Sequence, residues 1–331
     1  MPRAPHWCTA AIWRCFDFRV LSRSGSGLGG VTTLAITGGT GFVGGHLIDI
    51  ALAKGHGVRA LTRRDQPPRE GVAWVHGALD QPRSLADLVA SADAVIHVAG
   101  VVNASDRAGF ARGNIEGTRA ILTAAQDQGV SRFVHVSSLA AREPALSDYG
   151  WSKAEAEALV RASPLEWTIV RPPAIYGPGD SEMLDLFRLA KRHLALLPPG
   201  GRLSVLHVRD LSRLLLALTR QKGPRDTLDP DDGVPNGWSH RGFAHAIGTA
   251  VGRSVLALSC PRWTLMAGAR IDRLVRGSHA KLTPDRAAYF CHDDWVANPA
   301  NRPAPDLWKP DIATAQGLAE TAQWYRAQGL L

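Results

Sequence analysis

Tyr149 and Lys153 stand four residues apart in Tyr149-Gly150-Trp151-Ser152-Lys153, a short loop after the pair Ser137-Ser138. On a helix that spacing puts phenol and ammonium on one face, roughly 5 to 6 Å apart at Cβ. A free phenol titrates near pH ~10 and is a poor base at neutrality. A lysine charge beside it favours the phenolate and is expected to bring the pKa down, which makes Tyr149 a candidate for proton transfer. The same spacing also arises on plain amphipathic helix surfaces, so the pair gains meaning only from its surroundings.

A second group of residues could hold a phosphate. Residues 33–37 read as a buried strand that runs directly into Gly38-Gly39-Thr40-Gly41-Phe42-Val43-Gly44. In this Gly-x-x-Gly-x-x-Gly turn, Gly38 suits a sharp bend, Gly41 lets the backbone approach a pyrophosphate, and Gly44 lets the next helix pack closely on the strand. Residues 42–54 have helical periodicity and Gly55 stops them, so the phosphates would meet a helix N-terminus.

Both groups need a scaffold that brings strand ends to one edge. Residues 58–62, 72–75, 93–98, 132–136 and 167–170 read as further strands, with helices over 85–90, 114–128 and from Tyr149 to about residue 162. Strands spaced by helices imply an α/β fold, a doubly wound parallel sheet of the Rossmann type. The expected division is an NAD(P)-binding domain over residues 31–171 and a smaller C-terminal α/β substrate-binding region over 172–331, with room for the chain to cross back to the sheet. That second region is punctuated by proline and glycine, and helices are expected near 263–276 and 312–328.

Of 331 residues, 45% are hydrophobic and 21% charged, ordinary globular usage that argues against a fibre or a disordered chain. No run of 18 or more apolar residues is present, so no membrane span is expected. The net charge of +8 raises nucleic-acid binding, but Lys and Arg are scattered and no nucleic-acid motif accompanies them. A basic enzyme holding a phosphate-rich cofactor accounts for part of the excess. Cys8, Cys15, Cys260 and Cys291 lack C-x-x-C spacing, which fits a reduced, cytoplasmic protein without disulfides. Cys291-His292-Asp293-Asp294 has no partner cluster in the sequence, so no metal is expected. Residues 1–30 read as a leader, disordered or not native to a domain that begins near Val31; its arginine-rich, acid-poor composition also leaves a transit peptide open.

Together with residues 93–100 (DAVIHVAG), 114–118 (NIEGT), 133–138 (FVHVSS) and 171–179 (RPPAIYGPG), these motifs resemble the extended branch of the short-chain dehydrogenase/reductase superfamily. That branch includes NAD-dependent epimerases and dehydratases and 3β-hydroxysteroid dehydrogenase-like enzymes. The resemblance runs from about residue 33 to the C-terminus. It implies an NAD(P)-dependent oxidoreductase that moves hydride between nicotinamide and a secondary alcohol or ketone, the cofactor carrying the redox chemistry while the protein orients it. It implies a catalytic set in which Ser138 hydrogen-bonds the reacting oxygen, Tyr149 exchanges its proton, and Lys153 sets the phenol pKa and holds the nicotinamide ribose. Cofactor contacts are implied at Gly38, Gly41, Phe42, Val43, Gly44, Ala99, Gly100, Lys153 and Pro172, with Asn114 as structural support at a helix start. A homodimer paired through the helix from Asn114 and the helix carrying Tyr149 is implied as well.

Arg63 and Arg64 follow the second strand where an acid would bind the 2′-hydroxyl of NAD. A guanidinium suits a 2′-phosphate, so NADP is favoured over NAD, with solvated arginines as the plain alternative and Asp65 close by. Ala78 stands where the family often has an acid that helps hold adenine. His97 and His135 fall in buried strands and read as satisfied core histidines, and His207 and Asp210 as the start of a helix. Nucleotide-sugar members usually carry an asparagine where this chain has Ala174. Apolar faces over 184–190 and 263–268 suit a hydrophobic pocket, with plain core packing as the commoner role of such stripes. The expectation tilts towards a small or lipid-like alcohol or ketone, with a nucleotide-sugar epimerase or dehydratase, or a non-catalytic NAD(P)-binding module, as alternatives.

Overall fold

The computed structural model describes residues 32–221, 225–277 and 283–331, so the expectation for the leader lies outside the described residues. Along β1 (Thr33–Thr37) the side chains alternate between sheet faces, Leu34 and Ile36 entering one core and Ala35 the other. The chain continues through α1 (Phe42–Ala53), β2 (Gly57–Thr62), β3 (Val72–His76), α2 (Pro82–Val89), β4 (Ala94–His97), α3 (Arg107–Phe110), α4 (Gly117–Asp127), β5 (Arg132–Val136), α5 (Asp148–Ala162) and β6 (Glu166–Val170). Beyond residue 171 come β7 (Ala174–Tyr176), α6 (Leu184–Lys191), β8 (Leu194–Leu197), β9 (Arg202–Leu203), β10 (Val205–His207), α7 (Val208–Thr219) and β11 (Asp226–Leu228). The remainder holds β12 (Trp238–Ser239), α8 (His240–Val251), β13 (Leu256–Ser259), α9 (Arg262–Arg276), α10 (Pro284–Phe290), β14 (Asp294–Trp295) and α11 (Thr314–Ala327).

Seven strands form one parallel sheet in the order β11-β6-β5-β4-β1-β2-β3. Its strands are covered on both faces, which is why β4 and β5 are buried at every position. On one face lie α1 and α7, through Leu47, Ile48, Leu211 and Leu215; on the other lie α2, α4 and α5, through Leu85, Leu88, Ile121 and Val160. Both α7 and β11 come from beyond residue 171, so the chain crosses back and completes the sheet. Strand order reverses between β1 and β4, and a crevice at that switch point, beyond the strands' carboxyl ends, is where open α/β sheets bind ligands.

A separate core gathers α6, α8 and α11 around Phe187, Ile247, Leu318 and Tyr325. The apolar face of α6 (Leu184, Phe187, Ala190) packs into that core, the plainer of the two readings of such a face. There is one further departure. Asn114 does not open a helix: residues Ala111–Glu116 form a π-helical turn that leads into α4. Such turns are frequent at functional sites, and Asn114 is the buried polar residue within this one.

Candidate active site

Gly38 follows β1 with φ +72, a conformation side chains rarely tolerate, and a Cβ there would lie 2.8 Å from the Ala99 nitrogen at the exit of β4. A Cβ on Gly44 would lie 2.1 Å from the Gly38 carbonyl oxygen, so this glycine lets α1 close onto the turn. Gly41 caps α1 without a side-chain hydrogen bond, and the first turn carries no acid. The amide groups at this helix start are therefore aimed outward beside a glycine-lined bend, a cradle that fits a dinucleotide diphosphate. Phe42 and Val43 open the helix, and Phe42 and His46 meet Gly179 and the Pro178 carbonyl from across the crevice.

Lys153 lies buried in the middle of α5 and its Nζ donates to the Val136 carbonyl at 2.8 Å. The same Nζ would stand 3.7 Å from a Cβ on Gly100, so that position opens space at the lysine head. Asn114 accepts from the Val101 amide at 2.7 Å and donates to the Val101 carbonyl and to Ser152 Oγ, both at 2.9 Å. Ser152 in turn donates to the Tyr149 carbonyl at 2.8 Å. Asn114 thus ties the loop after β4 to the helix that carries Tyr149 and Lys153.

Ser138 caps a short 3-10 turn, Leu139–Arg142, accepting from the Ala140 amide, and its hydroxyl lies close enough to the Tyr149 phenol to act on its pKa. The Leu139 amide donates to the Pro172 carbonyl at 3.1 Å, which brings Pro172 beside the serine. Ser138, Tyr149 and Lys153 therefore converge next to the glycine turn's side of the sheet, at the ends of β4 and β5. Arg63 and Arg64 stand exposed at the end of β2, away from this catalytic cluster.

Burial pushes the Tyr149 phenol above its ordinary value, while the Ser138 hydroxyl and the charge of Arg286 act the other way. The expectation that Lys153 lowers the phenol is corrected for the chain alone: the ammonium is held by the Val136 carbonyl and desolvation outweighs the rest. Lys153 itself is brought down to about 8, burial being opposed by Glu157. Burial works to raise the Glu157 carboxyl, but Arg171, Ser137 and Arg161 together hold it below its ordinary value. His97 is satisfied, bonding Thr37 Oγ1 at 2.7 Å and Thr118 Oγ1 at 3.1 Å, and burial takes it down to about 3. His135 stacks on it at 5.4 Å with no hydrogen-bond partner on either ring nitrogen, which corrects its reading as a satisfied histidine. His207 caps α7, and the buried Asp210 accepts from the Asp311 and Ile312 amides.

Several working residues escaped the sequence reading. Glu157 is fully buried and accepts from Ser137 Oγ at 2.6 Å and from Arg171 at 2.8 and 2.6 Å. Its place four residues after Lys153 was an available signal. Gly150 is needed because a Cβ there would lie 2.7 Å from the Ala140 carbonyl oxygen. Tyr289 and Trp295 carried no local signal. The Tyr289 ring meets Tyr149 edge-on at 6.5 Å and stacks on Trp295 at 4.4 Å, and Phe110 stands 6.1 Å from Tyr149 on another side.

Sheet order, glycine cradle and the convergent serine, tyrosine and lysine define a dinucleotide-binding oxidoreductase. A family model described as NAD(P)H-binding matches residues 38–185. The chain is 40% identical over 314 residues to a ceramide reductase of Caulobacter vibrioides, covering 90% of this chain and 96% of that one. Among solved structures, gox2253 superposes with a TM-score of 0.72 at 20% identity, covering 91% of this chain and 99% of that one. MoeE5 in complex with UDP-glucuronic acid and NAD gives 0.68 at 20% identity, covering 90% and 99%. The chain belongs to the extended short-chain dehydrogenase/reductase superfamily and is an NAD(P)-dependent oxidoreductase that works on a secondary alcohol or ketone.

Proposed function

We propose that the enzyme reduces a ketone on a ceramide-like lipid, with NADP(H) as its preferred cofactor. The observation that carries this reading is the apolar wall around Tyr149, built from Phe110, Leu139, Leu146, Tyr289 and Trp295. A nucleotide sugar would need polar partners at such a wall, and Ala174 removes one that its enzymes commonly use. The 40% identity to a ceramide reductase over 90% of this chain supports the same class.

When bound, the nicotinamide supplies the hydride that adds to the carbonyl carbon. As the carbonyl oxygen gains the released electron pair, Tyr149 Oη gives it a proton and Ser138 Oγ hydrogen-bonds it. A phenol raised by burial stays protonated, the form that reduction needs. Lys153, charged below about pH 8, then favours the phenolate left behind. Residues 172–331 act as the substrate-binding region, reaching the catalytic tyrosine with Tyr289 and Trp295. Oxidation of reduced cofactor with a panel of long-chain lipid ketones in detergent tests the reading. Oxidation of reduced cofactor by lipid ketones is expected; no oxidation by any of them, with epimerised UDP-sugar found in a separate product assay, overturns the reading.

The NADP preference rests on Arg63 and Arg64, whose guanidinium groups suit a 2′-phosphate. Arg63→Asp is expected to shift the NADP/NAD ratio of kcat/KM by at least about tenfold towards NAD, by removing a donor and adding a repelling charge. An unchanged ratio would leave Arg63 as a surface residue. The chain is further proposed to act as a homodimer paired through α4 and α5, for which light scattering at micromolar concentration should give twice the chain mass.

A further inference from the structure

The face that α9 turns to solvent is apolar. Trp263, Ile271, Leu274 and Val275 are 72%, 62%, 87% and 75% exposed, whereas Ala269 is the buried position by which the helix seats itself. At 100° per residue Trp263, Ile271, Leu274 and Val275 fall on one side, so they form a stripe rather than scattered single residues. Scattered exposed apolar residues are ordinary, but a continuous stripe is costly in water unless something covers it. A second such face precedes it in the chain: Leu196 pairs with Leu258 across β8 and β13, and both, with Leu256, are exposed. Only Cys260 and Pro261 separate β13 from α9.

Charge identifies the occupant. The fifteen residues of α9 hold four arginines and a single acid, Asp272, which already pairs with Arg276 at 3.2 Å. Arg270 is exposed along the edge of the stripe, and Arg262 is exposed at the start of the helix. An apolar stripe with a tryptophan, edged by arginine and too short to cross a bilayer, is the pattern of a helix that lies in an anionic membrane surface. Among the described residues no helix is long and apolar enough to span a membrane. The helix is also well placed for such a role. It packs on α10, which carries Tyr289 against Tyr149 and Asp285 as acceptor of the Asp148 amide at 2.6 Å.

We infer that α9, with the exposed leucines of β8 and β13, docks the enzyme on an anionic bilayer, so that a membrane-resident lipid reaches Tyr149 past α10 without crossing water. This rests on the lipid-ketone reading for its purpose but not for its test. The full chain is mixed with vesicles of phosphatidylcholine alone, and of phosphatidylcholine with phosphatidylglycerol, and bound protein is measured by flotation. Binding to the anionic vesicles, weakened by salt, is expected, and the pair Ile271→Glu with Leu274→Glu should reduce it at least tenfold. The same variant should keep its rate on a short, water-soluble ketone and lose rate only on vesicle-embedded substrate. No flotation with anionic vesicles, or flotation unchanged in the variant, overturns the inference. So does light scattering that shows the variant dissociating an assembly that binds no vesicles, since the stripe would then be an interface between copies. Failure of every ketone with retained flotation would instead reject the lipid-ketone reading and leave the docking surface standing.

Discussion

Tyr149→Phe is expected to lower turnover about 10³-fold, a loss of about 4 kcal/mol in transition-state stabilisation. Cofactor affinity should change by no more than about twofold, because the ring and its packing against Phe110 and Tyr289 persist. The lost proton is the one that must reach the carbonyl oxygen, so the effect falls on kcat. In the unaltered enzyme the reduction rate should fall as pH rises through about 8, where Lys153 loses its charge. The sign follows from burial: it lowers the lysine pKa, so the charged form prevails below that value and is lost above it. Lys153→Met should be slow throughout and lack that limb. Near-normal turnover in the Tyr149→Phe enzyme would reject both the reductase and epimerase chemistries, which share this proton.

Gly44→Ala should abolish measurable binding of NADP(H), a weakening of at least about 100-fold, and should lower the melting temperature. The added Cβ would lie 2.1 Å from the Gly38 carbonyl oxygen and 2.7 Å from its carbon, so the turn must open or α1 must withdraw. Overpacking of this kind typically costs about 1–3 kcal/mol in stability, and the displaced turn is the phosphate cradle itself. Gly45 is the control one residue on. A Cβ there meets nothing within 4 Å, so Gly45→Ala should bind cofactor normally and gain up to about 1 kcal/mol of helix stability. Fluorescence titration with NADPH and a thermal melt of both variants check the pair; equal behaviour would show that the turn tolerates a side chain.

Much of the sheet was legible from sequence because each element advertises itself locally. Buried parallel strands appear as short apolar runs such as Leu34, Ala35 and Ile36, and the glycine turn is a local backbone requirement at Gly38 and Gly44. The tyrosine and lysine could be placed on one helix face for the same reason, as helical spacing is a property of a few residues. The π-helical turn at Asn114 was not legible, and the partners its side chain holds, Val101 and Ser152, lie far from it in sequence.

What only the tertiary structure decided are matters of long-range contact and of dielectric. Sequence shows the lysine near Tyr149 but not the burial that raises its phenol in the chain without cofactor, nor the Arg286 charge that opposes it. Glu157 as acceptor of Ser137 and Arg171, and Tyr289 and Trp295 as the wall of the site, depend on segments brought together by folding. The two apolar helix faces make the same point: α6 and α9 have alike amphipathic patterns, yet Phe187 is sealed in a core and Leu274 faces solvent. A hydrophobic period states that one side of a helix avoids water, and only the packing of the other elements decides whether protein covers that side.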